Sequence, residues 1–425
     1  MTLSWVQIVR LGLVQMCLGA IVVLMTSTLN RLMVVELTLP AVLPGLLVAL
    51  HYGIQLSRTQ LGFASDRGGR RTVFITGGMA VLGAGAALAT FAILLFPASY
   101  WAGLSVSILA YALIGLGAGA AGTSVLALLA TATAARRRAA AATITWLMMI
   151  FGIAVTAGVV GTLLDPYSPG LLMRIVGVVT VGAVVVTAFA IHGIERSVRA
   201  VQQPEQTAFL EGLSQVWAEP RARVFTIFVF LSMTAYFMQE LILEPYAGLV
   251  FGFTPGQSTQ LSGAQNGGVF LGMITVGVLS TGLGLGTLRH WVIAGCLGSA
   301  AALSVISAIG PAGLATLLVP AVVAMGFFNG MFAVAAIGSM MAMAGEGRER
   351  REGTRMGLWG AAQAIAAGFG GLTGAALADV MRTVLPDASA FGTVFVIEAA
   401  LFVAAALMAA QIMDRGTVPQ LVPGE

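Results

Sequence analysis

The sequence predicts an all-α integral membrane protein: twelve transmembrane helices arranged as two pseudo-symmetric six-helix halves. Three observations lead there. The chain is 58% hydrophobic and 9% charged, with a mean hydropathy of +0.96; a soluble chain of 425 residues needs far more charge to solvate its surface. Apolar runs long enough to cross a hydrocarbon core of roughly 30 Å recur from end to end. An internal repeat then ties the fifth run to the eleventh.

The runs place spans at 11–33, 40–58, 72–96, 101–131, 141–163, 170–193, 223–246, 260–283, 290–310, 312–341, 356–378 and 391–413. The first run is too long for a signal peptide and has no small-residue cleavage site behind it, so it is expected to stay in the mature protein. Cys17 and Cys296 both fall inside apolar runs, where they read as small packing residues.

The chain has no lysine; apart from three histidines every basic residue is arginine. With both termini cytoplasmic, the inner loops collect nearly all of them, from Arg58, Arg67, Arg70 and Arg71 to Arg350, Arg351 and Arg355. The outer side keeps Arg31, Arg174 and Arg382. That asymmetry sets orientation by the positive-inside rule. The net charge of +4 therefore reports topology and partnership with the bilayer, and nucleic acid is not an expected partner.

Spans 5 and 11 each follow an arginine-rich loop, Arg136-Arg137-Arg138 and Arg350-Arg351. Trp146, Gly158 and Gly161 match Trp359, Gly371 and Gly374 at one constant offset, and acids follow at Asp165 and Asp379. The expected organisation is a first half at 1–196, a cytoplasmic linker at 197–222, a second half at 223–415 and a tail at 416–425, with a site between the halves. The linker is polar at Gln202-Gln203-Pro204-Glu205-Gln206; its later part reads equally as a surface-lying amphipathic helix or as a flexible connection. The glycine run of span 4, Gly115 to Gly122, puts small residues four apart, which in lipid serves close helix packing first and a flat cavity wall second.

One short loop is densely charged: Gly62-Phe63-Ala64-Ser65-Asp66-Arg67-Gly68-Gly69-Arg70-Arg71. Its spacing resembles the loop between the second and third helices of major facilitator transporters. Gly62 would let span 2 approach a neighbour. Asp66 would complement the start of span 3, and Arg67, Arg70 and Arg71, beside Gly69, would hold cytoplasmic helix ends. The resemblance implies the major facilitator fold and a loop that steadies one conformational state. The corresponding segment of the second half, Gly282 to His290, has lost the acid and most arginines.

Ionisable residues inside a membrane are expensive, so each is a functional candidate. Spans 3, 4 and 5 carry none in their cores. Arg31 and Glu36 stand at the outer end of span 1, and His51 is the titratable residue of span 2. Span 7 carries Gln239, Glu240 and Glu244, the two acids one turn apart on one face. Glu240 lies roughly 25 Å from Arg223 at 1.5 Å per residue, and Glu398 of span 12 lies at a similar depth. Three readings of the acid pair stand open: a proton or cation site, an ion pair with Arg31 or Arg174, or contact with the polar edge or metal centre of a lipophilic ligand. His51 reads either as a hydrogen-bonded helix histidine or as an axial nitrogen donor to the magnesium of a chlorin. Gln265, Asn266, Asn329 and Gln363 are polar span residues of the same ambiguity. Nothing in the chain calls for a resident metal or nucleotide cofactor.

A narrower resemblance covers nearly the whole chain. Arg10 to Met16, Thr26 to Leu37, Pro44-Gly45-Leu46 through His51-Tyr52, Ser65 to Thr72, and Gln239-Glu240 through Pro245-Tyr246 to Val250-Phe251-Gly252 resemble the PucC/LhaA family of photosynthetic bacteria. The compact length is most similar to the family's shorter member, known as a bacteriochlorophyll synthase chain. The resemblance implies a multi-pass protein of the bacterial inner (intracytoplasmic) membrane that handles bacteriochlorophyll, or a late precursor, as cargo. Its implied partners are light-harvesting polypeptides and the enzymes of bacteriochlorophyll synthesis. It implies no settled binding residues. The chain lacks the paired aspartate-rich, magnesium–diphosphate motifs of a prenyl-transferring enzyme, so it is not expected to be an enzyme. A proton-coupled transporter of a small solute and a pigment-free assembly scaffold are the two competing uses of the same fold.

Overall fold

A computed structural model of the chain describes residues 2–56, 71–134, 137–197, 217–345 and 352–412. Gly62, Asp66, Arg67, Gly69 and Arg70, most of the linker and the 416–425 tail lie outside the described residues.

Among the described residues, twelve long helices run in the order that the spans predict. They are α1 (Trp5–Glu36), α2 (Val42–Gln55), α3 (Arg71–Leu95), α4 (Tyr100–Ala132), α5 (Arg138–Leu163) and α6 (Pro169–Ile191), then α7 (Ala222–Phe251), α8 (Pro255–Val276), α9 (Leu288–Ala312), α10 (Leu318–Gly345), α11 (Glu352–Arg382) and α12 (Asp387–Ile412). Ten are long and apolar enough to cross a membrane by themselves, α2 and α8 being the exceptions. Only fourteen residues of α2 are described. α8 is diluted by Gln257, Ser258, Thr259, Gln260, Gln265 and Asn266, polar groups that a bundle interior can hold and lipid cannot.

Local signals explain the boundaries. Ser4 caps α1 with a capping box, which starts the helix at Trp5, ahead of the predicted residue 11. Thr254 and Pro255 start α8 the same way, ahead of the predicted 260. Ser99 and Ser168 cap α4 and α6. Gly313, with a φ of 68°, ends α9 in the left-handed conformation that favours glycine.

Every major helix contact of the first half recurs six helices later. α1 packs on α5 and α6 as α7 packs on α11 and α12; α2 meets α4 as α8 meets α10; α3 meets α4 and α6 as α9 meets α10 and α12. The two six-helix halves meet through α5 with α8 and through α2 with α11. Buried apolar residues fall into two large clusters, one of first-half residues around Ile8, Leu82, Tyr111 and Leu172, one of second-half residues around Phe228, Cys296, Phe332 and Phe402. Leu241 of α7 joins the first-half cluster.

Polar capping at the face that carries Trp5 and Ile412, here the terminal face, follows the same symmetry. Arg10 donates to the carbonyls of Ala190 and His192 at the end of α6, 2.9 and 2.6 Å, and Arg289 donates to Ala410 near the end of α12, 2.6 Å. Cations on exposed helix C-termini are the favourable sign. Glu195 accepts from the N–H groups of Arg71 and Thr72, 2.5 and 3.2 Å, at the start of α3. Arg71 itself, the described residue of the charged loop, donates to Thr131 of α4, 2.6 Å.

The repeat is imperfect. Trp359 is buried against Phe225, ring centroids 4.9 Å apart, whereas Trp146 is exposed on the bundle surface.

Candidate functional site

The two halves are joined by polar side chains where α1 and α7 stop being regular. α1 widens into π-helical turns at Leu24–Leu29 and Leu32–Glu36. α7 tightens into a 3₁₀ turn at Gln239–Leu241 before resuming at Leu243. The first of these π turns touches that 3₁₀ turn. Such interruptions shift carbonyls out of the helical ladder and tend to mark functional positions. Here Asn30 uses one: its amide donates to the Leu241 carbonyl, 2.8 Å.

Both acids of α7 face this junction. The buried Glu244 accepts from the Ser27 hydroxyl. Glu240 is half-buried beside the Thr26 hydroxyl. Thr28 and Thr259 of α8 share a hydrogen bond of 3.1 Å. Arg31 is 2% exposed and spreads its guanidinium over three partners. It donates to Glu36 at 2.6 Å, to the Phe253 carbonyl at 2.7 Å and to the Ser258 hydroxyl at 3.3 Å. Tyr167, in the loop after α5, has its phenol pKa raised by burial and then by the Glu36 carboxylate. Asp165 accepts from the Thr254 hydroxyl, 2.7 Å, and Asp379 accepts from the backbone N–H groups of Ala41 and Val42, 3.0 and 2.7 Å. These contacts, apart from the Arg31–Glu36 and Tyr167 pairings within the first half, cross between the halves, toward the end of the bundle opposite the terminal face.

Arg31, expected at the outer edge of span 1, is inside the bundle. It makes its direct ion pair with Glu36 and not with the acids of α7, although its charge also acts on Glu244. Arg174 is exposed on α6. The partners of Glu240 and Glu244 are hydroxyls instead, because the π turn of α1 presents Thr26, Ser27 and Thr28 in succession.

His51 is 3% exposed, with the Gln55 amide 2.6 Å from its Nε2 and the Tyr52 ring 5.0 Å away, edge to face. It packs against α4, where a Cβ on Gly115 would come within 2.7 Å of the His51 carbonyl. The glycines of α4 thus serve close packing at this contact. Tyr52 turns the other way, to Phe237 of α7 at 5.9 Å, and Phe237 meets Tyr236 at 5.1 Å. Tyr52, Tyr236 and Phe237, each half-buried, form an aromatic wall of rings set edge to face at 64° and 73°, with Glu240 near Tyr236. His51 contacts Tyr52; Gln239, Asn329 and Glu398 are buried at 1%, 0% and 0% exposure.

A second feature opens on the side of the bundle. An apolar groove of about 450 Å³ runs between α5, α8 and α10, lined by Phe151, Val155, Gly267, Phe270, Leu271 and Val323. Phe151 and Phe270 pair across it at 5.7 Å, and a Cβ on Gly267 would meet open space.

Comparison with known proteins places these features in a family. The model of the family described as PUCC protein matches residues 28–417. The bacteriochlorophyll synthase 44.5 kDa chain of Rhodobacter capsulatus is 65% identical over the full length of both chains. Protein PucC of the same organism is 30% identical, over 96% of this chain and 93% of that one. The chain belongs to the PucC family.

Solved structures establish the fold class of this PucC-family chain. It superposes on the nucleoside transporter NupG with a TM-score of 0.65 at 16% identity, covering 96% of this chain and 98% of that one. A bacterial homologue of the human lysosomal transporter Spinster, in an inward-facing and occupied conformation, gives 0.70 at 12% identity, over 95% and 96%. Likeness at that level establishes the major facilitator fold alone. Sequence reading found the acids and Arg31 but missed Thr26, Ser27 and Ser258 as their partners. The signal was present: Thr26-Ser27-Thr28 and Asn30-Arg31 interrupt an otherwise apolar span.

Proposed function

We propose that this protein is a non-enzymatic carrier of bacteriochlorophyll or a late precursor in the inner membrane of a photosynthetic bacterium. It hands the pigment to light-harvesting polypeptides as they assemble, or takes it from the last biosynthetic enzymes. Both termini face the cytoplasm in this reading. Family membership and the name carried by the 65%-identical relative support it.

The observation that carries the reading at the level of residues is the half-buried Glu240 carboxylate beside the wall of Tyr52, Tyr236 and Phe237. A planar macrocycle stacks on aromatic rings, and its magnesium takes one hard axial donor, which a carboxylate oxygen can provide. The cargo's hydrocarbon tail suits the lateral groove at Phe151 and Phe270, since it need never leave an apolar surface. His51 adjoins the wall, but its Nε2 is engaged by Gln55.

The test is purification in mild detergent from a pigment-making host. The expected product is coloured, with near-stoichiometric bacteriochlorophyll, and Glu240→Gln loses or blue-shifts the pigment band. A colourless preparation that retains antenna polypeptides would instead identify a scaffold.

The polar seam between the halves favours one second reading, proton-coupled transport of a small solute. Uptake into proteoliposomes abolished by Glu240→Gln and Glu244→Gln, with no pigment bound by the wild type, is the outcome that selects it.

A further inference from the structure

Inside the second half, four helices bring polar side chains to one depth. Tyr246 of α7 fixes the register. Its ring contacts Phe391 and Phe395 of α12, centroids 5.7 and 5.1 Å apart, and its hydroxyl donates to the Ile306 carbonyl of α9, 2.9 Å.

Two helical turns from that anchor, about 10 Å toward the terminal face, each helix carries a polar residue. On α12, Phe391, Phe395, Glu398 and Phe402 form one stripe, all 0% exposed. On α9 the residue two turns from Ile306 is Ser299; on α7 Gln239 lies seven residues before Tyr246, at the start of the 3₁₀ turn. Ser299 donates to the Asn329 carbonyl oxygen of α10, 2.6 Å. The Phe332–Phe402 contact, 6.0 Å, sets α10 at the same depth.

The four side chains are 0% or 1% exposed. Beyond the Ser299–Asn329 bond, their remaining groups make no hydrogen bond to protein: both oxygens of Glu398, both amide atoms of Gln239 and the Asn329 nitrogen. Orphaned polar groups cost several kcal/mol each at membrane depth, and three of these atoms, both Glu398 oxygens and the Gln239 carbonyl oxygen, are acceptors that a cation would satisfy.

We propose that Glu398, Gln239, Ser299 and Asn329 form an occluded site for one monovalent cation, a sodium ion or a proton. The chemistry is that of hard oxygen donors around a single negative charge. One carboxylate balances one positive charge, which favours a monovalent ion over a divalent one. The Gln239 and Asn329 carbonyls and the Ser299 hydroxyl supply neutral oxygens. The titratable side chains of α7 and α9 in the same buried core as Phe395 and Phe402 are Tyr246 and Cys296, the latter one turn from Ser299. Asp379 and Arg382 of α11 pair with each other at 3.8 Å near the far end of the bundle.

The site is independent of the pigment reading and stands or falls separately. The purified full-length protein is treated with a membrane-permeant carbodiimide in sodium chloride or choline chloride, across a pH series. Adduct at Glu398 is read by peptide mass spectrometry and thermal stability is measured in parallel. A sodium site gives labelling slowed about tenfold at sodium ten times its dissociation constant. It also gives a sodium-dependent rise in Tm that Glu398→Gln abolishes and Asn329→Leu weakens. A proton site gives labelling that falls as pH rises and ignores sodium. No adduct at Glu398 in either salt at any pH, with no sodium effect on Tm, overturns the proposal; because the labelling uses wild-type protein, it does not depend on a variant that folds.

Discussion

Asp165 and Asp379 do the same job at two symmetry-related places. Asp165, at the end of α5, binds the capping residue Thr254 of α8; Asp379, near the end of α11, binds the first N–H groups of α2. Each carboxylate reaches across the junction and sits at the positive end of a helix of the other half.

The two acids are not equal in strength. Asp379 accepts from two backbone N–H groups and Asp165 from one exposed hydroxyl. Asp379→Ala is expected to cost about 1–2 kcal/mol and Asp165→Ala less than about 1 kcal/mol. Thermal unfolding in detergent checks the order; an equal or reversed effect would refute the capping argument.

Arg31 is the buried cation of the junction. Removing it leaves the Phe253 carbonyl and Ser258 without their charged donor, so Arg31→Ala is expected to destabilise by about 2–3 kcal/mol. Glu36, 43% exposed, is screened by water, and Glu36→Gln should cost no more than about 1 kcal/mol. The same unfolding assay, run on both variants, separates them.

Ser27 and Glu244 touch across the halves. Ser27→Ala, Glu244→Gln and the double variant should show a coupling of about 1–2 kcal/mol. Strict additivity would mean that the contact is not formed in the membrane.

The glycines divide by what they face. A Cβ on Gly161 would lie 2.6 Å from Cγ of Gln260 and 2.7 Å from its backbone nitrogen, where α5 meets α8. Gly161→Val is therefore expected to cost about 1–3 kcal/mol by forcing the halves apart. Gly177 and Gly182 of α6 face open space, and alanine at either should be neutral or stabilise by up to about 1 kcal/mol.

His51 is buried with Nε2 held by Gln55. His51→Asn is expected to leave any bound pigment's absorption unchanged, whereas Glu240→Gln shifts or removes it. Absorption spectra of the two purified variants decide between the two donors, and a shift at His51 alone would reassign the ligand.

Hydropathy made the spans legible because lipid demands continuous apolar helices, and it failed where that demand lapses. The predicted spans match the helices at Tyr100–Ala132 and Pro169–Ile191 within two residues. They started α1 and α8 late, because Ser4, Thr254 and Gln257 specify a helix start through hydrogen bonds that hydropathy does not register. α7 read as one continuous helix, although Pro245, which cannot donate to the Leu241 carbonyl four residues earlier, marks the 3₁₀ turn at Gln239–Leu241. Glu240 and Glu244 were legible as candidates because a carboxylate in a span is rare. Their partners were not, since Ser27 lies 217 positions from Glu244 and serine in a span has many uses.

The amino-acid sequence by itself determined the membrane class, the number of helices and the twofold repeat, which follow from composition and local periodicity, and the family, which follows from residue-by-residue likeness to its members. Only the tertiary structure decided that Arg31 makes its direct contacts with Glu36, Phe253 and Ser258 while Glu244 takes the Ser27 hydroxyl. It alone brought Glu398, Gln239, Ser299 and Asn329 to one depth. Those facts depend on helix register and rotation, set by side-chain packing between segments distant in the chain, and a rotation of one residue would point the same groups at lipid.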